Sequence, residues 1–564
     1  MSRVGTKSWI RLGVATAAVG AALVAVVAPA DAGNGNHAGP PEEVNLQILA
    51  INDFHGNIAT SSGSFGGTGR ADFLSTNIAA REAGADNSIM VSAGDLIGAS
   101  PLISALFHDE PTIEAMNLIG LDINGVGNHE FDEGPDELLR MANGGAHPVD
   151  GDFGGTEFGG ADFDFLASNV VVDATGDTLF PAYTIREYDG VEVAFIGLTL
   201  EGTPTIVTPS GVAGLTFEDE AENVNRVVKQ IRRETRIESF VILLHEGGRS
   251  DGGPQDCGTG LTGPIAEIVP QFHQAVDLVI AGHTNDEFVC EIDNKWVTMA
   301  DTRGRLFTDI DVTINTKNRD MTVQSIENVS NLQAGVTPDP AVTALIDFYD
   351  VLSAPLANQV IGDISADILR APNPAGESAM GDVIADVQLD ATDDAGFGDA
   401  VVAFMNPGGI RDDMLFAEIS GGEAAGEITY GEAFSVQPFG NSLVTMTLTG
   451  AQIYDLLEEQ WEGQTFPRIL QPSAGFNYTW DANEPDGTKV VPGSVEIGGV
   501  PIVAGTDYRV TVNSFLADGG DNFATLVDGT NRLGGEVDID ALVTYFGLYS
   551  PIDPGPQDRI TRLN

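Results

Sequence analysis

Cysteine is almost missing from this chain, with only Cys257 and Cys290 in 564 residues. That excludes a disulfide-dense scaffold and a cysteine-rich metal centre. In an exported chain an even pair reads as one disulfide, and two unpaired buried thiols are the other reading. Bases are scarce as well: 26 Lys and Arg face 83 Asp and Glu, a formal charge of -57. Such a surface repels nucleic acid polymers and anionic membranes. It also repels a phosphate substrate unless metal ions or arginines reverse the field locally. Long apolar runs are lacking too. The longest, residues 12–27, falls short of the ~20 residues that a membrane span needs. It follows Arg3, Lys7 and Arg11 and precedes Ala30-Asp31-Ala32, the order of a secretory signal over residues 1–32. A membrane anchor is the competing reading. The C-terminal end carries no lipid or sorting pattern. The expectation is therefore a protein exported from the cytoplasm, with no membrane attachment once the signal is cut.

Histidine is absent after residue 283. The eight are His37, His55, His108, His129, His147, His245, His273 and His283. A histidine-dependent metal site must therefore belong to the first half. There, short apolar runs at 46–51, 89–92, 123–126, 165–167, 193–198, 240–244 and 278–281 read as buried strands. They alternate with helical patterns at 71–81, 135–141, 218–235 and 265–272, which predicts a layered α/β domain over 44–330. Residues 151–155 read as a surface loop, and 308–326 as a closing hairpin. Residues 331–360 form a junction, with a helix over 341–356 ended near Pro355. A second α/β domain follows over 361–564, with a helix at 379–389 and strands near 401–405, 443–448 and 508–512.

Strand ends in the first half carry the chemistry. Asp53-Phe54-His55-Gly56, Gly94-Asp95, Gly127-Asn128-His129-Glu130-Phe131-Asp132, His245-Glu246-Gly247 and Gly282-His283-Thr284-Asn285 each follow a predicted strand. Ligands of α/β sheets bind beyond the carboxyl ends of strands, so these groups converge on one crevice. Carboxylate, amide and imidazole donors together suit divalent ions such as Mn, Zn or Fe.

This ordered set resembles the calcineurin-like metallophosphoesterases, specifically the 5′-nucleotidase family. The resemblance implies an N-terminal four-layer α/β/β/α sandwich and a C-terminal α/β nucleotide-binding domain. It implies two divalent metal ions, of Mn, Zn, Mg, Fe or Ca. Asp53, His55, Asp95 and Asn285 match the ligands of one ion; Asp95, Asn128, His245 and His283 match those of the other. Asn285 stands where relatives carry Gln, His or Asn. His129, held by Asp132, matches the catalytic histidine. A support role for His129 and a helix N-cap role for Asp132 remain open.

In the second half, Asn406-Pro407-Gly408-Gly409-Ile410-Arg411 resembles the family's phosphate loop, with Arg411 as a forked anion contact. The loops at 437–441 and 513–521 resemble those carrying its base-stacking pair, here Phe439 and Phe515, with Asp521 for the ribose hydroxyls. The plain alternatives are a surface ion pair for Arg411, core positions for both phenylalanines and a turn role for Asp521. The chain departs from the family at Gly376, where many relatives have Arg, and at Asp382, where they have Asn. Arg370 lies close enough in sequence to compensate. The implied activity is extracellular hydrolysis of nucleoside 5′-monophosphates by a metal-bridging hydroxide, with the halves closing about 331–360. The alternatives are a UDP-sugar or 2′,3′-cyclic nucleotide substrate, or a non-catalytic nucleotide-binding protein. Oligomeric state is not encoded in any motif here.

Overall fold

The computed structural model describes residues 42–59, 64–155, 157–208, 210–396 and 398–564. The expected export signal lies outside these residues. In the first half, short apolar runs buried on both faces build two facing six-stranded sheets. One runs Met321–Ser330, Leu306–Asn315, Glu43–Ile51, Ser88–Ser92, Ile123–Gly125, Asp164–Leu166. The other runs Glu287–Ile292, Lys295–Ala300, Val276–Ala281, Phe240–His245, Val191–Thr199, Tyr183–Tyr188. The second has a parallel centre between antiparallel edges, whereas the first is antiparallel at the Met321–Ser330 side and parallel through to its other edge, Asp164–Leu166. Ile48 and Ala50 of the first strand point between the sheets, against Phe195, Val241 and Ile280. Leu49 and Ile51 point outward, under the helices Ala71–Glu82 and Glu110–Ile119. On the far side, Val224, Val227 and Ile231 of helix Glu220–Glu234 cover the second sheet. The order is α/β/β/α.

In the second half a five-stranded sheet centres on Asp507–Asn513, beside Val402–Met405 and Ser442–Thr449. A four-stranded sheet carries Phe476–Asp481 paired with the C-terminal strand Ile560–Leu563. Helices Ala379–Asp390, Gly450–Glu458 and Asp538–Tyr549 complete its two apolar clusters.

The junction helix spans Pro340–Ala357, ending two residues after Pro355 and within one residue of the expected bounds at each end. In this last turn the proline removes one bond, to the Val351 carbonyl, and Val351 is well exposed, so water can take its place. The helix is no free strut. Asp339 caps it, Val342 and Ile346 join the first half's core, and the Tyr349 hydroxyl donates to Glu114 at 3.1 Å. The loop at 151–155 also docks on it: a side chain on Gly154 would overlap the Phe348 ring. Among the described residues no helix is long and apolar enough to cross a membrane.

Candidate metal centre and substrate cleft

The parallel strands end together, and the loops that leave them touch. A Cβ on Gly94 would lie 2.5 Å from the Gly127 nitrogen, and Gly94 has φ +91°, so only glycine fits where these two loops cross. Asp53, His55, Asp95, His283 and Asn285 all adopt left-handed backbone, with φ between 48° and 74°. Strain of this kind persists where surrounding contacts impose it, and it gathers at functional sites.

Two donor groups result. Asp53, His55 and Asp95 offer atoms within 4.8 Å of one another, and so do Asp95, His245 and His283. Asp95 belongs to both. His55 Nε2 lies 3.8 Å from Asp95 Oδ2, and His245 Nε2 lies 3.0 Å from the same oxygen. Asn128 Oδ1 sits 3.1 Å from His245 Nε2 and 2.9 Å from His283 Nδ1. The other imidazole nitrogens are held by backbone carbonyls: His55 Nδ1 by Gly98 at 2.9 Å, His245 Nδ1 by Ala93 at 2.7 Å. Backbone support of this sort orients metal-binding histidines. Asn285 is different. Its side chain is exposed and its amide donates to the His283 carbonyl at 3.2 Å, while it lines the cleft beside these groups.

Burial governs the electrostatics here. It pushes the Asp53 carboxyl up to about 7, against the pull of His245. It drives His283 down to about 3, with His245 adding to the fall. His55 drops well below its usual range because burial outweighs the pull of Asp95, and Arg411 and His129 add to the fall. Burial alone would lower His245 too, but Asp95 overrides it and lifts the imidazole to about 10. Asp95, which burial would raise, is held far below the carboxylate range by His245, His129 and His55. Asp95 thus raises one imidazole of the cluster, His245, while burial lowers the other two, His55 and His283. Converging O and N donors of this kind fit divalent metal ions.

His129 stands beside the donors. Its Nδ1 is 2.8 Å from Asp132 Oδ2, and its backbone N–H donates to Asp95 Oδ1 at 2.9 Å. Asp132 is therefore the imidazole's partner and not a cap; Gly134 occupies the N-cap of helix Pro135–Asn143. Glu130, which the motif contains but sequence reasoning gave no role, joins the loops. Its carboxylate accepts from the backbone of Asp95 and Leu96 at 2.9 Å and of Gly127 at 2.7 Å.

A cleft of about 410 Å³ opens from His129 and His283 to the second half's loops. Arg411 reaches back so that its guanidinium lies 3.5 Å from His55 Nε2 and 5.8 Å from the Phe439 ring centre. Burial, then Arg303 and Arg370, lowers its pKa to about 10. Phe439 stacks on His129 at 5.7 Å and 17°. Phe515 lies against Gly520, where a Cβ would overlap its ring. Both phenylalanines are half-buried and line the cleft; no ring contact joins them among the described residues. Asp521 is buried, accepting from Asn406 Nδ2 at 2.8 Å and facing Arg468 Nη1 at 2.9 Å. Asn406 also accepts from Asn513 at 3.0 Å, so both ends of its amide are engaged within the protein. Arg468, Phe466, Arg249 and Thr208 line the cleft without any motif to announce them.

The sequence departures lie elsewhere. Gly376 has φ +94°, and a Cβ there would sit 2.5 Å from Ile469. Asp382 faces Arg559 of the C-terminal end at 3.8 Å. Neither residue lines the cleft, whereas Arg370 does. Cys257 and Cys290 form a disulfide that ties the loop after His245 to strand Glu287–Ile292.

Comparison with known proteins agrees with this geometry. The family model for the 5′-nucleotidase C-terminal domain matches residues 360–528. A cell wall protein of Listeria monocytogenes is 31% identical over 537 residues, covering 89% of this chain and 67% of that protein. Endonuclease YhcR of Bacillus subtilis is 31% identical over 529 residues, covering 90% of this chain, which spans only 40% of that longer protein. The crystal structure of the 5′-nucleotidase precursor from Thermus thermophilus superposes with a TM-score of 0.75 at 25% identity, covering 92% of this chain and 99% of that one. Shared sequence over the full fold, the four layers and the donors at the strand ends lead to one conclusion: the chain belongs to the 5′-nucleotidase family of calcineurin-like metallophosphoesterases.

Proposed function

We propose that this protein is a phosphoesterase that hydrolyses nucleoside 5′-monophosphates to nucleoside and phosphate, outside the cytoplasm, with two divalent metal ions. One observation carries the reading: a single cleft joins His129 and the buried donor cluster to Phe439, Phe515 and Asp521. Asp53, His55, Asp95 and Asn285 would hold one ion; Asp95, Asn128, His245 and His283 would hold the other. Bound ions would supply charge neutralisation and an acidified water for in-line displacement. The chain's own groups do the rest. Arg411, with Arg370 beside it, gives fixed positive charge for the phosphoryl oxygens. His129, its Nδ1 held by Asp132, offers Nε2 to the leaving oxygen and gives it a proton. Phe439 and Phe515 offer ring faces to the base, and Asp521 an acceptor to the ribose. The export pattern in residues 1–32 and the disulfide support an extracytoplasmic site.

A diphosphate ester is the second reading, favoured by the four guanidinium groups along the cleft, Arg249, Arg370, Arg411 and Arg468. A nucleic acid polymer, suggested by the name of the Bacillus relative, is opposed by the charge of -57. The test is phosphate release from AMP, the other monophosphates, UDP-glucose, 2′,3′-cyclic AMP and single-stranded DNA, with Mn²⁺, Zn²⁺, Mg²⁺, Fe²⁺ or Ca²⁺ added in turn. Monophosphates should turn over fastest. Two bound metals with every nucleotide spared would overturn the proposal.

A further inference from the structure

Arg303 belongs to the first half, yet its guanidinium ends on the second. Its own place is fixed by the strand end that carries Asp53. The Arg303 backbone N–H donates to the Asp53 carbonyl at 2.7 Å, and the Thr302 hydroxyl donates to the same oxygen at 2.8 Å. Arg303 itself is left-handed, with φ 59°. Gly304 follows with φ +63°, where a Cβ would lie 2.8 Å from the Phe54 ring, and its carbonyl accepts from Asn331 Nδ2 at 2.9 Å. This turn is therefore part of the scaffold that holds the metal-donor loop.

From there the largely buried side chain crosses to the other half. Nη2 donates to the Arg411 carbonyl at 2.5 Å, and Nη1 donates to Asp412 Oδ2 at 3.1 Å. The other Asp412 oxygen accepts from the Asp413 N–H at 2.9 Å, and Asp413 Oδ1 accepts from the Arg370 N–H at 2.6 Å. Arg411 is thus gripped from both sides. Its N–H donates to the Val436 carbonyl of its own half at 2.9 Å, while its carbonyl is held by the first half. Its guanidinium has weaker anchors: a bond of 3.4 Å to the Gly408 carbonyl, the approach of 3.5 Å to His55 Nε2 and the Phe439 ring.

We infer that Arg303 is a positioning residue, which ties the reach of Arg411 to the Asp53 loop and so sets the anion-holding guanidinium against the metal donors. The inference rests on the proposed role of Arg411 toward phosphate. A planar guanidinium can hold a carbonyl and a carboxylate at once and fix the angle between them, whereas an ammonium is a single point of charge. An ion pair that only joined the halves needs no more than a carboxylate. This one is also directed to the carbonyl of the residue that faces His55. Arg303 and Arg370 bear on the Arg411 guanidinium electrostatically as well, a like-charge pressure that a phosphoryl group at Arg411 would relieve.

The experiment reads phosphate binding apart from turnover. Full-length protein loaded with Mn²⁺ is titrated by calorimetry with inorganic phosphate and, separately, with adenosine. The chains compared are the unaltered protein, Arg303→Met, Arg411→Met and the double variant, with bound metal measured on each. Arg303→Met should keep the metal content of the unaltered protein and weaken phosphate by roughly 10-fold or more. Adenosine should change by less than about twofold, and so should phosphate when Arg303→Met is added to Arg411→Met, because the residue acts through Arg411. With a small aryl phosphate, kcat of Arg303→Met should fall by the order of 10²-fold, the effect of a displacement of about 1 Å. Arg303→Lys keeps the charge without the fork, so it should fall between, and it is the variant to read should Arg303→Met not fold. Unchanged phosphate affinity, a full further loss on top of Arg411→Met, a parallel loss of adenosine, a loss of metal, or an unaltered protein that binds no phosphate overturns the inference. The proposed function fails on a different result: an unaltered protein that binds metal and phosphate and spares every nucleotide.

Discussion

The Asp382→Asn substitution tests how a buried acid is tolerated in the second half. Asp382 starts helix Ala379–Asp390 and is 1% exposed. No donor reaches either of its oxygens within hydrogen-bond distance. Glu377 is beside it and already accepts from the backbone of Arg559 and Ile560 at 3.0 Å each. Two acceptors side by side share a proton. Burial, then Glu377 and Asp386, raise the Asp382 carboxyl from 3.8 to about 8 despite Arg559, which is held bidentately by Asp386 at 2.8 Å. The sign follows from linkage. An acid whose folded pKa is raised binds a proton more tightly in the folded chain, so its contribution is present below about pH 4 and lost as pH rises toward 8. At roughly 1.4 kcal/mol per unit, the loss between pH 5 and 8 is at most about 4 kcal/mol, and sharing with Glu377 brings the expected value to about 2–4 kcal/mol. For a chain of this length that is of the order of 2–4 °C in melting temperature. An amide at 382 donates to Glu377 at any pH. Melting curves at pH 5 and 8 for both proteins give the answer: the gap between them should open in favour of the variant as pH rises. Parallel curves, or a variant less stable at pH 8, would refute the reasoning.

Other outcomes follow from the same geometry. Reducing the disulfide, which closes a loop of 33 residues, should cost about 4 kcal/mol by loop entropy, read as a fall in melting temperature with reductant that Cys257→Ser already shows without it. His129→Ala should lower kcat for AMP by roughly 10²–10⁴-fold, and Asp132→Asn by less, because the imidazole survives but loses its orientation; equal losses would count against the positioning role. Phe515→Ala should raise KM for AMP by about 5- to 150-fold, the equivalent of 1–3 kcal/mol of stacking, and leave a small aryl phosphate unaffected.

Much of the first half was legible because strands covered on both sheet faces are apolar at consecutive positions and read as short unbroken runs. Ile48 and Leu49 point opposite ways into two different clusters, and both must be apolar. The metal-centre candidates were legible because glycine marks the turns that bring strand ends together, as at Gly94. The short helix Leu102–Ala105 and the edge hairpin Glu287–Ile292 with Lys295–Ala300 were not foreseen, since each is brief and the hairpin's buried Phe288, Val297 and Met299 are interleaved with polar residues. Cleft residues without a motif escaped for another reason. Arg468 reaches Asp521 across 53 residues of chain, a pairing that only the folded chain creates. Asp382 read as a loss at the substrate site, yet its partner is Arg559, at the far C-terminal end. Long-range charge pairing leaves no local trace.

Phe439 couples the two ends of the cleft. Its ring touches His129, assigned to the leaving oxygen, and lies under Arg411, assigned to the phosphate, so it is not solely a platform for a base. Arg303 of the first half fastens the same loop, donating to the Arg411 carbonyl at 2.5 Å and to Asp412 at 3.1 Å. A base that takes a face of Phe439 competes with a contact of about 0.5–1.5 kcal/mol to the imidazole. A phosphate that takes Arg411 relieves that guanidinium of its neighbours Arg303 and Arg370. Filling the cleft therefore weakens one contact between the halves and strengthens the electrostatics of another. Phe515, which packs within its own half against Gly520, takes no part in this exchange. The two stacking candidates are thus unequal: one senses only the base, and the other senses the base and the reacting end together.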